Sequence, residues 1–295
     1  MIPSRAVLIT GCSSGIGQAT AKHLNARGWT VYATARRRES LAELREAGCQ
    51  TLALDVTDEG SMRSAVGEVE AREGAVGVLV NNAGYSQSGA VETVAMDAVR
   101  RQFETNVFGL ARMCQLVLPG MRAQGAGKIV NLSSMGGRFT FPGGGYYHAS
   151  KYSVEAISDA LRFEVQGFGI RVVVIEPGLI RTQFGASAVG AMTAPPAAGH
   201  DGADPYEEFN AAVGTNTVQA YEVGPIARLA GPPEAVARKI EKAISTDRPR
   251  TRYTVTPSAK VLLGLRALLP DRGWDAFVSS QFPIPGKARK GSPPA

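Results

Sequence analysis

Two adjacent tyrosines and a nearby lysine are the residues of this sequence best suited to proton transfer. Tyr146, Tyr147 and Lys151 lie in the stretch GGGYYHASK. Residues four apart share one face of an α-helix and residues five apart do not, so a helix here places Lys151 beside Tyr147. A free phenol has a pKa of about 10, and a neighbouring ammonium group lowers it. Tyr147 is therefore predicted to give a proton to a carbonyl oxygen. The alternative is an ordinary pair on a helix surface.

A glycine-rich stretch near the N-terminus has the pattern of a phosphate-binding loop. TGCSSGIG, residues 10–17, follows an apolar run and precedes a helical pattern. Its three glycines, Gly11, Gly15 and Gly17, let the backbone turn tightly and approach a ligand closely. The start of the helix adds N–H groups and a partial positive charge. The strand before the loop and the helix after it make the motif specific, and they predict a dinucleotide site.

The residue type at the end of the second predicted strand indicates whether NADP or NAD is the cofactor. Arg36, in YATARRR, stands 19 residues after Gly17, and no acidic residue ends this strand. An acid at this place binds the ribose hydroxyl of NAD, whereas an arginine accommodates the additional phosphate of NADP. The sequence therefore predicts NADP(H), with a solvated basic turn as the alternative. Asp55, followed by Val56 at the end of the third predicted strand, is expected at the adenine edge.

Short apolar runs alternate with helical patterns from the N-terminus to about residue 180. Six runs are predicted to be strands, and RYTVTP is predicted to be a seventh. The six are AVLIT, TVYATA, TLALDV, VGVLVNNAG, KIVNLSS and RVVVIEPG. Continuous apolar strands between helices indicate a parallel sheet with right-handed crossovers. The predicted fold class is α/β, with a doubly wound parallel sheet of about seven strands and helices on both faces.

Residues from about 185 to 225 interrupt this alternation. Their sequence is rich in Gly, Ala and Pro, which is typical of a mobile loop. Because the segment follows a strand end, where ligands bind in such sheets, it is predicted to be a substrate lid. The alternative is a disordered insertion. Beyond residue 257, one or two short apolar helices and a polar tail are expected. Three roles are expected as alternatives for these helices: additional wall of the substrate pocket, a subunit contact, or a peripheral membrane contact.

The composition narrows the class of protein. The chain has 295 residues, 44% of them hydrophobic, which suits a globular α/β protein. No apolar run approaches the roughly 18 residues of a membrane span. Three scattered cysteines favour neither a disulfide framework nor a metal site, so no metal and a cytoplasmic location are expected. The net charge of +6 is spread along the chain, which favours a phosphate-bearing small ligand or an anionic surface and does not point specifically to nucleic acid.

Six motifs in a fixed order resemble the short-chain dehydrogenase/reductase family. They are TGCSSGIG, NNAG, the asparagine of FETNVFG, NLSS, YHASK and EPGLIRT, and they extend to about Thr182. The glycine spacing resembles the single-domain oxidoreductase branch, and VLITGCSSGIG and VYATAR resemble the hydroxysteroid and retinol dehydrogenase group. The resemblance implies a Rossmann-type fold. Residues 1–256 are expected to form one NADP-binding domain with the lid, and 257–295 the C-terminal helices and tail.

The resemblance also implies a role for particular residues. Tyr147 is implied to be the general acid/base, and Lys151 its partner and a ligand of the nicotinamide ribose. Ser134 is implied to orient the substrate oxygen, whereas the strand pattern alone leaves Ser133 and Ser134 open. Asn106 is implied to kink its helix and hold a water in a proton relay. The implied cofactor-binding residues are Gly11, Ser14, Gly15, Ile16, Gly17, Arg36, Asp55, Val56, Asn82, Ala83, Gly84, Tyr147, Lys151, Pro177, Ile180 and Thr182.

We therefore expect an NADP(H)-dependent oxidoreductase that transfers a hydride between the nicotinamide and a hydrophobic ketone or secondary alcohol. Steroid-, retinoid- and polyketide-like substrates fit a pocket with an aromatic and apolar lining. The residues expected to supply that lining are Phe139, Phe141, Phe184, Met192, Tyr206 and Phe209. The alternative for these residues is packing of the lid onto the body of the protein.

Two other functions compete with this expectation. A non-catalytic dinucleotide sensor would usually lack the serine, the tyrosine or the lysine, and all three positions are filled here. A sugar-nucleotide epimerase or dehydratase is disfavoured by the glycine spacing. The resemblance further implies a homodimer or homotetramer, formed through the long helices that carry Asn106 and Tyr147.

Overall fold

Parallel strands with apolar side chains on both faces form the centre of the molecule. The structure is a computed structural model that describes residues 4–182, 204–223 and 225–286. Its strands are β1 Ala6–Ile9, β2 Thr30–Ala35, β3 Gln50–Ala53, β4 Val78–Asn81, β5 Gly127–Leu132, β6 Ile170–Pro177 and β7 Arg252–Val255. They form one parallel sheet in the order β3-β2-β1-β4-β5-β6-β7. The predicted fold class and strand number are confirmed.

Helices connect the strands and cover the sheet. They are α1 Gly15–Ala26, α2 Ala42–Glu46, α3 Glu59–Glu73, α4 Met96–Phe103, α5 Leu110–Ala123, α6 Gly145–Val165, α7 Glu207–Val218, α8 Pro233–Ser245, α9 Pro257–Leu268 and α10 Asp271–Ser279. A π-helical turn, Glu104–Gly109, joins α4 to α5. Two hydrophobic clusters form the core. One packs Leu24 of α1 and Ile240 of α8 on one face of the sheet, and the other packs Val66 of α3, Val117 of α5 and Val154 of α6.

The strand order reverses between β1 and β4. From β1 the chain builds outward through β2 and β3, and from β4 it builds in the opposite direction through β5, β6 and β7. The loops that leave β1 and β4 therefore diverge at the carboxyl edge of the sheet. Such a reversal leaves a crevice between them, which is where ligands bind in open parallel sheets.

The segment predicted to be a mobile loop contains a helix within the part that the structure describes. α7 and a π-helical continuation, Gln219–Val223, lie inside the predicted lid, so this part of the loop prediction is wrong. Phe209 and Val213 of α7 pack against Ala90 in a small hydrophobic cluster. This burial stabilises a helix that the local Gly- and Asn-containing sequence does not favour by itself. Residues 183–203 of the predicted lid lie outside the described residues.

The C-terminal helices pack onto the body of the protein. Trp274 of α10 and Leu262 of α9 form one cluster with Phe139, which lies in the segment between β5 and α6. The rings of Phe139 and Trp274 are 5.2 Å apart. Of the three predicted roles for these helices, this packing favours pocket wall. Among the described helices, none is both long and apolar enough to cross a membrane.

The start of α3 holds the loop that follows β3. The Asp58 carboxylate accepts a hydrogen bond from the Ser61 backbone N–H at 2.6 Å. The Ser61 hydroxyl in turn accepts one from the backbone N–H of Asp55 at 2.9 Å. The helix cap thus fixes the position of Asp55 at the carboxyl edge of the sheet.

Replacing Asp58 by alanine removes the acceptor at the start of α3. Asp58→Ala is expected to lower the free energy of unfolding by about 1 kcal/mol, the usual cost of a lost helix cap. Asp58→Asn retains an acceptor oxygen and is expected to lie within about 0.5 kcal/mol of the wild type. Urea denaturation measures both values, and wild-type stability of Asp58→Ala would contradict the role of the cap.

Candidate active site

A cleft of about 1210 Å³ opens at the carboxyl edge of the sheet, where β1 and β4 diverge. Three of the predicted catalytic residues, Ser134, Tyr147 and Lys151, line it. So do the predicted cofactor-binding residues Gly11, Ser14, Gly15, Ile16, Arg36, Asp55, Val56, Asn82, Ala83, Gly84, Pro177, Ile180 and Thr182. Gly17 and Asn106 do not line the cleft, and both lie directly behind its wall. The structure therefore brings residues that are far apart in sequence into one site.

The glycine loop is held against the end of β4. The Asn82 side-chain amide donates to the carbonyl oxygens of Thr10 and Gly11, both at 2.9 Å. A Cβ atom on Gly17 would lie 2.3 Å from the Gly11 carbonyl oxygen and 2.6 Å from Asn82 Nδ2. Gly11 itself has a φ of +72°, and its Cβ would lie 2.9 Å from Ala83 Cα. Only glycine fits these positions, so Gly17 acts by allowing α1 to approach the loop rather than by facing the cleft.

Ser134 and Tyr147 form a hydrogen-bonded pair at the centre of the cleft. Burial raises the pKa of Tyr147 to about 12, and a hydrogen bond from Ser134 acts in the opposite direction without cancelling it. The expectation of a lowered tyrosine pKa is therefore wrong for this structure, because desolvation of the phenolate outweighs its neighbours. The Ser134 hydroxyl also accepts a hydrogen bond from the Gly136 backbone N–H at 3.0 Å, which fixes its orientation.

Lys151 lies one helical turn after Tyr147, as the spacing predicts. Its ammonium nitrogen is 5.9 Å from the centre of the Tyr147 ring and donates to the Leu132 carbonyl oxygen at 2.8 Å. Burial lowers the pKa of Lys151 to about 8, and the negative charge of Glu155 partly opposes this shift. The neighbouring Tyr146 points away from the site and donates to the Val91 carbonyl oxygen at 3.2 Å. Of the two tyrosines, only Tyr147 lines the cleft.

Asn106 lies in the π-helical turn between α4 and α5, behind Gly84. Its side-chain oxygen accepts a hydrogen bond from the Tyr85 backbone N–H at 3.1 Å. Its side-chain nitrogen donates to the Tyr85 carbonyl oxygen at 2.9 Å and to the Ser150 hydroxyl at 3.0 Å. Asn106 thus ties the loop after β4 to α6, which carries Tyr147 and Lys151. The expected distortion of its helix is present as the π-helical turn, and its role in a water relay stays a prediction.

His148 lines the cleft and was not predicted from the sequence. Its ring Nδ1 lies 3.0 Å from the Gly136 carbonyl oxygen, and its Nε2 accepts from the Phe141 backbone N–H at 3.5 Å. Burial lowers the pKa of His148, so the ring is neutral and Nδ1 carries the donated hydrogen. The imidazole therefore bridges Gly136 and Phe141, two positions in the segment between Ser134 and Tyr147. Its only sequence signal is its position directly after Tyr147.

A second arginine accompanies Arg36 at the cleft. Arg101 of α4 and Tyr85 also line it. Burial raises the pKa of Tyr85, while the positive charges of Arg101 and Arg36 lower it, so both guanidinium groups lie near this phenol. The sequence gives no signal for Arg101, because an arginine pair on an amphipathic helix is typical of a solvent-facing surface.

The apolar wall of the cleft differs from the predicted one. Phe141 lines the cleft, whereas Phe139 is buried behind it and Tyr206 and Phe209 pack around α7. Phe184 and Met192 lie outside the described residues. The apolar residues that line this part of the cleft are Met135, Phe141, Val213, Leu262, Phe277 and Phe282. Three of these six, Leu262, Phe277 and Phe282, belong to the C-terminal part of the chain. This part therefore contributes apolar lining that was predicted to come from the lid.

Comparison with known proteins identifies the family. The short chain dehydrogenase family matches residues 5–191. Because this match covers more than half of the chain, the protein belongs to the short-chain dehydrogenase/reductase family and is an oxidoreductase of that family. The particular likeness to hydroxysteroid and retinol dehydrogenases stays a prediction.

Individual relatives extend the likeness to most of the chain. The 3-ketodihydrosphingosine reductase of Bacteroides thetaiotaomicron is 43% identical over 179 residues, which cover 60% of this chain and 65% of that relative. The NADPH-dependent 3-dehydrocapnine reductase of Ornithobacterium rhinotracheale is 34% identical over 281 residues, 92% of this chain and 95% of that relative. A crystal structure of a short-chain dehydrogenase from Streptomyces avermitilis superposes with a TM-score of 0.75 at 34% identity, covering 94% of this chain and 98% of its own.

The lowered pKa of Lys151 makes stability depend on pH in a defined window. Its ordinary pKa is 10.5 and burial brings it to about 8, so above pH 8 the unfolded chain holds more protons than the folded one. Stability then rises with pH until the unfolded pKa is reached. Relative to Lys151→Met, the wild type is expected to gain about 2 kcal/mol of unfolding free energy between about pH 7.5 and 9.5.

Urea denaturation across this pH range measures the gain. Lys260→Met, on the exposed surface of α9, controls for the loss of one positive charge. If Lys151→Met and Lys260→Met change with pH in the same way, Lys151 does not have a lowered pKa.

Proposed function

We propose that this protein is an NADP(H)-dependent reductase of a hydrophobic ketone, with Tyr147 as the general acid/base. The observation that carries the proposal is the hydrogen-bonded pair of Ser134 and Tyr147, with Lys151 beside it, in a cleft continuous with the glycine loop. A serine and a tyrosine that converge on one point are suited to holding a carbonyl oxygen and protonating it.

The residues of the cleft fit NADP(H). The glycine loop leaves space where side chains would clash, which allows the backbone to approach a pyrophosphate. Ser14 directly precedes α1, and its side chain makes no capping hydrogen bond to the first turn of that helix. The N–H groups of this turn are therefore available to a phosphate. Arg36, directly after β2, places positive charge where the additional phosphate of NADP is expected, and Arg101 adds a second positive charge to the same cleft. One relative is named as NADPH-dependent, which supports the same cofactor.

The proton step follows from the state of Tyr147. With a pKa of about 12 its phenol is protonated at neutral pH, the form that can donate to a carbonyl oxygen. When bound, NADPH supplies the hydride that adds to the carbonyl carbon. Ser134 orients the same oxygen through its hydroxyl, and Lys151, charged below about pH 8, supplies positive charge next to the phenol. Asn106 ties α6, which carries Tyr147 and Lys151, to the loop after β4, and His148 holds the segment that follows Ser134.

The wall beyond Ser134 and Tyr147 supports a hydrophobic substrate. Phe141, Leu262, Phe277 and Phe282 line it, and burying apolar surface stabilises binding by about 25 cal/mol per Å². Two relatives are named as reductases of 3-ketodihydrosphingosine and of 3-dehydrocapnine, so reduction of a ketone is the favoured direction. Steroid-, retinoid- and polyketide-like ketones remain within the proposed class.

The proposal also covers the oligomeric state and the cellular location of the enzyme. A homodimer or homotetramer that forms through α5 and α6 is supported by two exposed aromatic side chains. Phe108 lies in the turn before α5, and Tyr152 lies on α6. A cytoplasmic location is supported by three free, buried thiols at Cys12, Cys49 and Cys114. Peripheral membrane contact through the C-terminal helices stays a prediction.

Removing the Tyr147 hydroxyl tests the catalytic assignment. Tyr147→Phe is expected to lower kcat/KM for NADPH-dependent reduction of a hydrophobic ketone by about 100-fold or more, the usual contribution of a general acid. Tyr146→Phe makes the same change one residue away, outside the cleft, and is expected to retain wild-type activity. NADPH oxidation followed by absorbance measures both, and equal activity of the two variants would contradict the assignment.

Reversing the charge at Arg36 tests the cofactor assignment. Arg36→Asp is expected to weaken NADPH binding by about 10- to 100-fold, because a hydrogen bond to a charged group is lost and a like charge meets the phosphate. NADH binding is expected to stay the same or improve. Arg45→Asp, on the exposed surface of α2, changes the net charge equally without facing the cleft. Fluorescence titration measures each affinity, and equal NADPH and NADH affinities of the wild type would contradict an NADP site.

A further inference from the structure

A second tyrosine lines the cleft that contains Tyr147. α7 and its π-helical continuation contribute to the lining of the cleft, and the residues that do so are Val213, Asn216, Thr217, Gln219, Ala220 and Tyr221. Tyr221, near the C-terminal end of this face, lines the same cleft as Ser134 and Tyr147. Burial raises the pKa of Tyr221, and the charge of a Tyr147 phenolate raises it further, which is consistent with two phenols that face one cleft.

Tyr221 is a hydrogen-bond donor throughout the physiological pH range. A phenol with a raised pKa remains protonated at neutral pH, and it then carries one O–H donor. The wall beside it is largely apolar, formed by Phe141, Leu262, Phe277 and Phe282. A hydrogen bond that this phenol donates to a ligand is stronger beside such a wall than in water, because the local dielectric constant is lower.

Contacts on three sides fix the wall that carries Tyr221. The Asn216 side chain donates to the Gln281 carbonyl oxygen at 2.7 Å, which joins α7 to the end of α10. The Asn210 side-chain oxygen accepts from the Ala90 backbone N–H at 3.2 Å. Val213 lies so close to Gly143 that a Cβ atom there would come within 2.5 Å of its methyl group. Tyr221 is thus held on a helical element that packs against the segment before Tyr147.

We propose that Tyr221 binds an oxygen acceptor on the carbon next to the reacting carbonyl, so that the substrate is an amphiphilic ketone. This inference rests on the proposed function. Ser134 and Tyr147 hold the carbonyl oxygen, Tyr221 donates to a neighbouring hydroxyl or carbonyl oxygen, and the apolar remainder lies along the wall of Phe141, Leu262 and Phe277. The site therefore selects against ketones that are apolar on both sides of the carbonyl.

A matched pair of ketones tests the selection. One is a long-chain methyl ketone, and the other carries a hydroxyl on the methyl carbon. The wild type is expected to reduce the hydroxy ketone with a kcat/KM about 3- to 10-fold higher, chiefly through a lower KM, as one hydrogen bond contributes. Tyr221→Phe is expected to abolish this preference, so that the kcat/KM values of the two ketones become equal within about 2-fold. Tyr206→Phe, which removes a phenol at the start of α7 outside the cleft, is expected to keep the preference.

Calorimetry separates this inference from the proposed function. Both ketones are titrated into the NADP⁺ complex of the wild type and of Tyr221→Phe. Tighter binding of the hydroxy ketone that is lost in Tyr221→Phe supports the inference even if neither ketone is reduced, and the proposed reductase function alone then fails. Equal binding of the two ketones by the wild type, or a preference that Tyr221→Phe retains, overturns the inference whatever the turnover.

Discussion

The site depends on a small set of hydrogen bonds at the point where β1 and β4 separate. The Thr10 hydroxyl accepts from the backbone N–H groups of Asn82 and Ala83, and the Asn82 amide returns two hydrogen bonds to the backbone of Thr10 and Gly11. These bonds satisfy backbone groups that lose their sheet partners where the strands diverge. The same hydrogen bonds hold the glycine loop in place. Gly11, Asn82 and Ala83 therefore line the cleft at the point where the pairing of β1 and β4 ends.

Desolvation then sets the chemistry of that cleft. Burial raises the pKa of Tyr147 and lowers that of Lys151, because removal from water disfavours the charged form of each group. Tyr147 is thus held as an acid, and Lys151 keeps its charge only up to about pH 8. Hydrogen bonds to Ser134 and Leu132 orient the two groups. One physical cause, burial at the end of the sheet, therefore accounts for both pKa shifts.

The parts that could be predicted from the sequence are those specified locally. Apolar runs predict the seven strands, and the glycine loop, Arg36 and the four-residue spacing from Tyr147 to Lys151 predict the phosphate loop, one arginine and the tyrosine–lysine pair of the cleft. α7 could not be predicted, since contacts with Ala90 stabilise it and not its own composition. Arg101 and Tyr221 reach the cleft through the tertiary packing of their helices, for which the sequence carries no local signal. The direction of the Tyr147 pKa shift also depends on burial, which spacing along a helix does not reveal.

The most direct test of the account is a single-turnover experiment with NADPH that carries deuterium at both hydrogen positions of C4 of the nicotinamide. Excess protein is mixed with the labelled cofactor and either a long-chain ketone or 3-ketodihydrosphingosine, and the product is analysed by mass spectrometry. The account predicts an alcohol with one deuterium on the former carbonyl carbon, and little product from Tyr147→Phe. Tight binding of NADPH without transfer of deuterium to either ketone, or equal transfer by Tyr147→Phe, would contradict it.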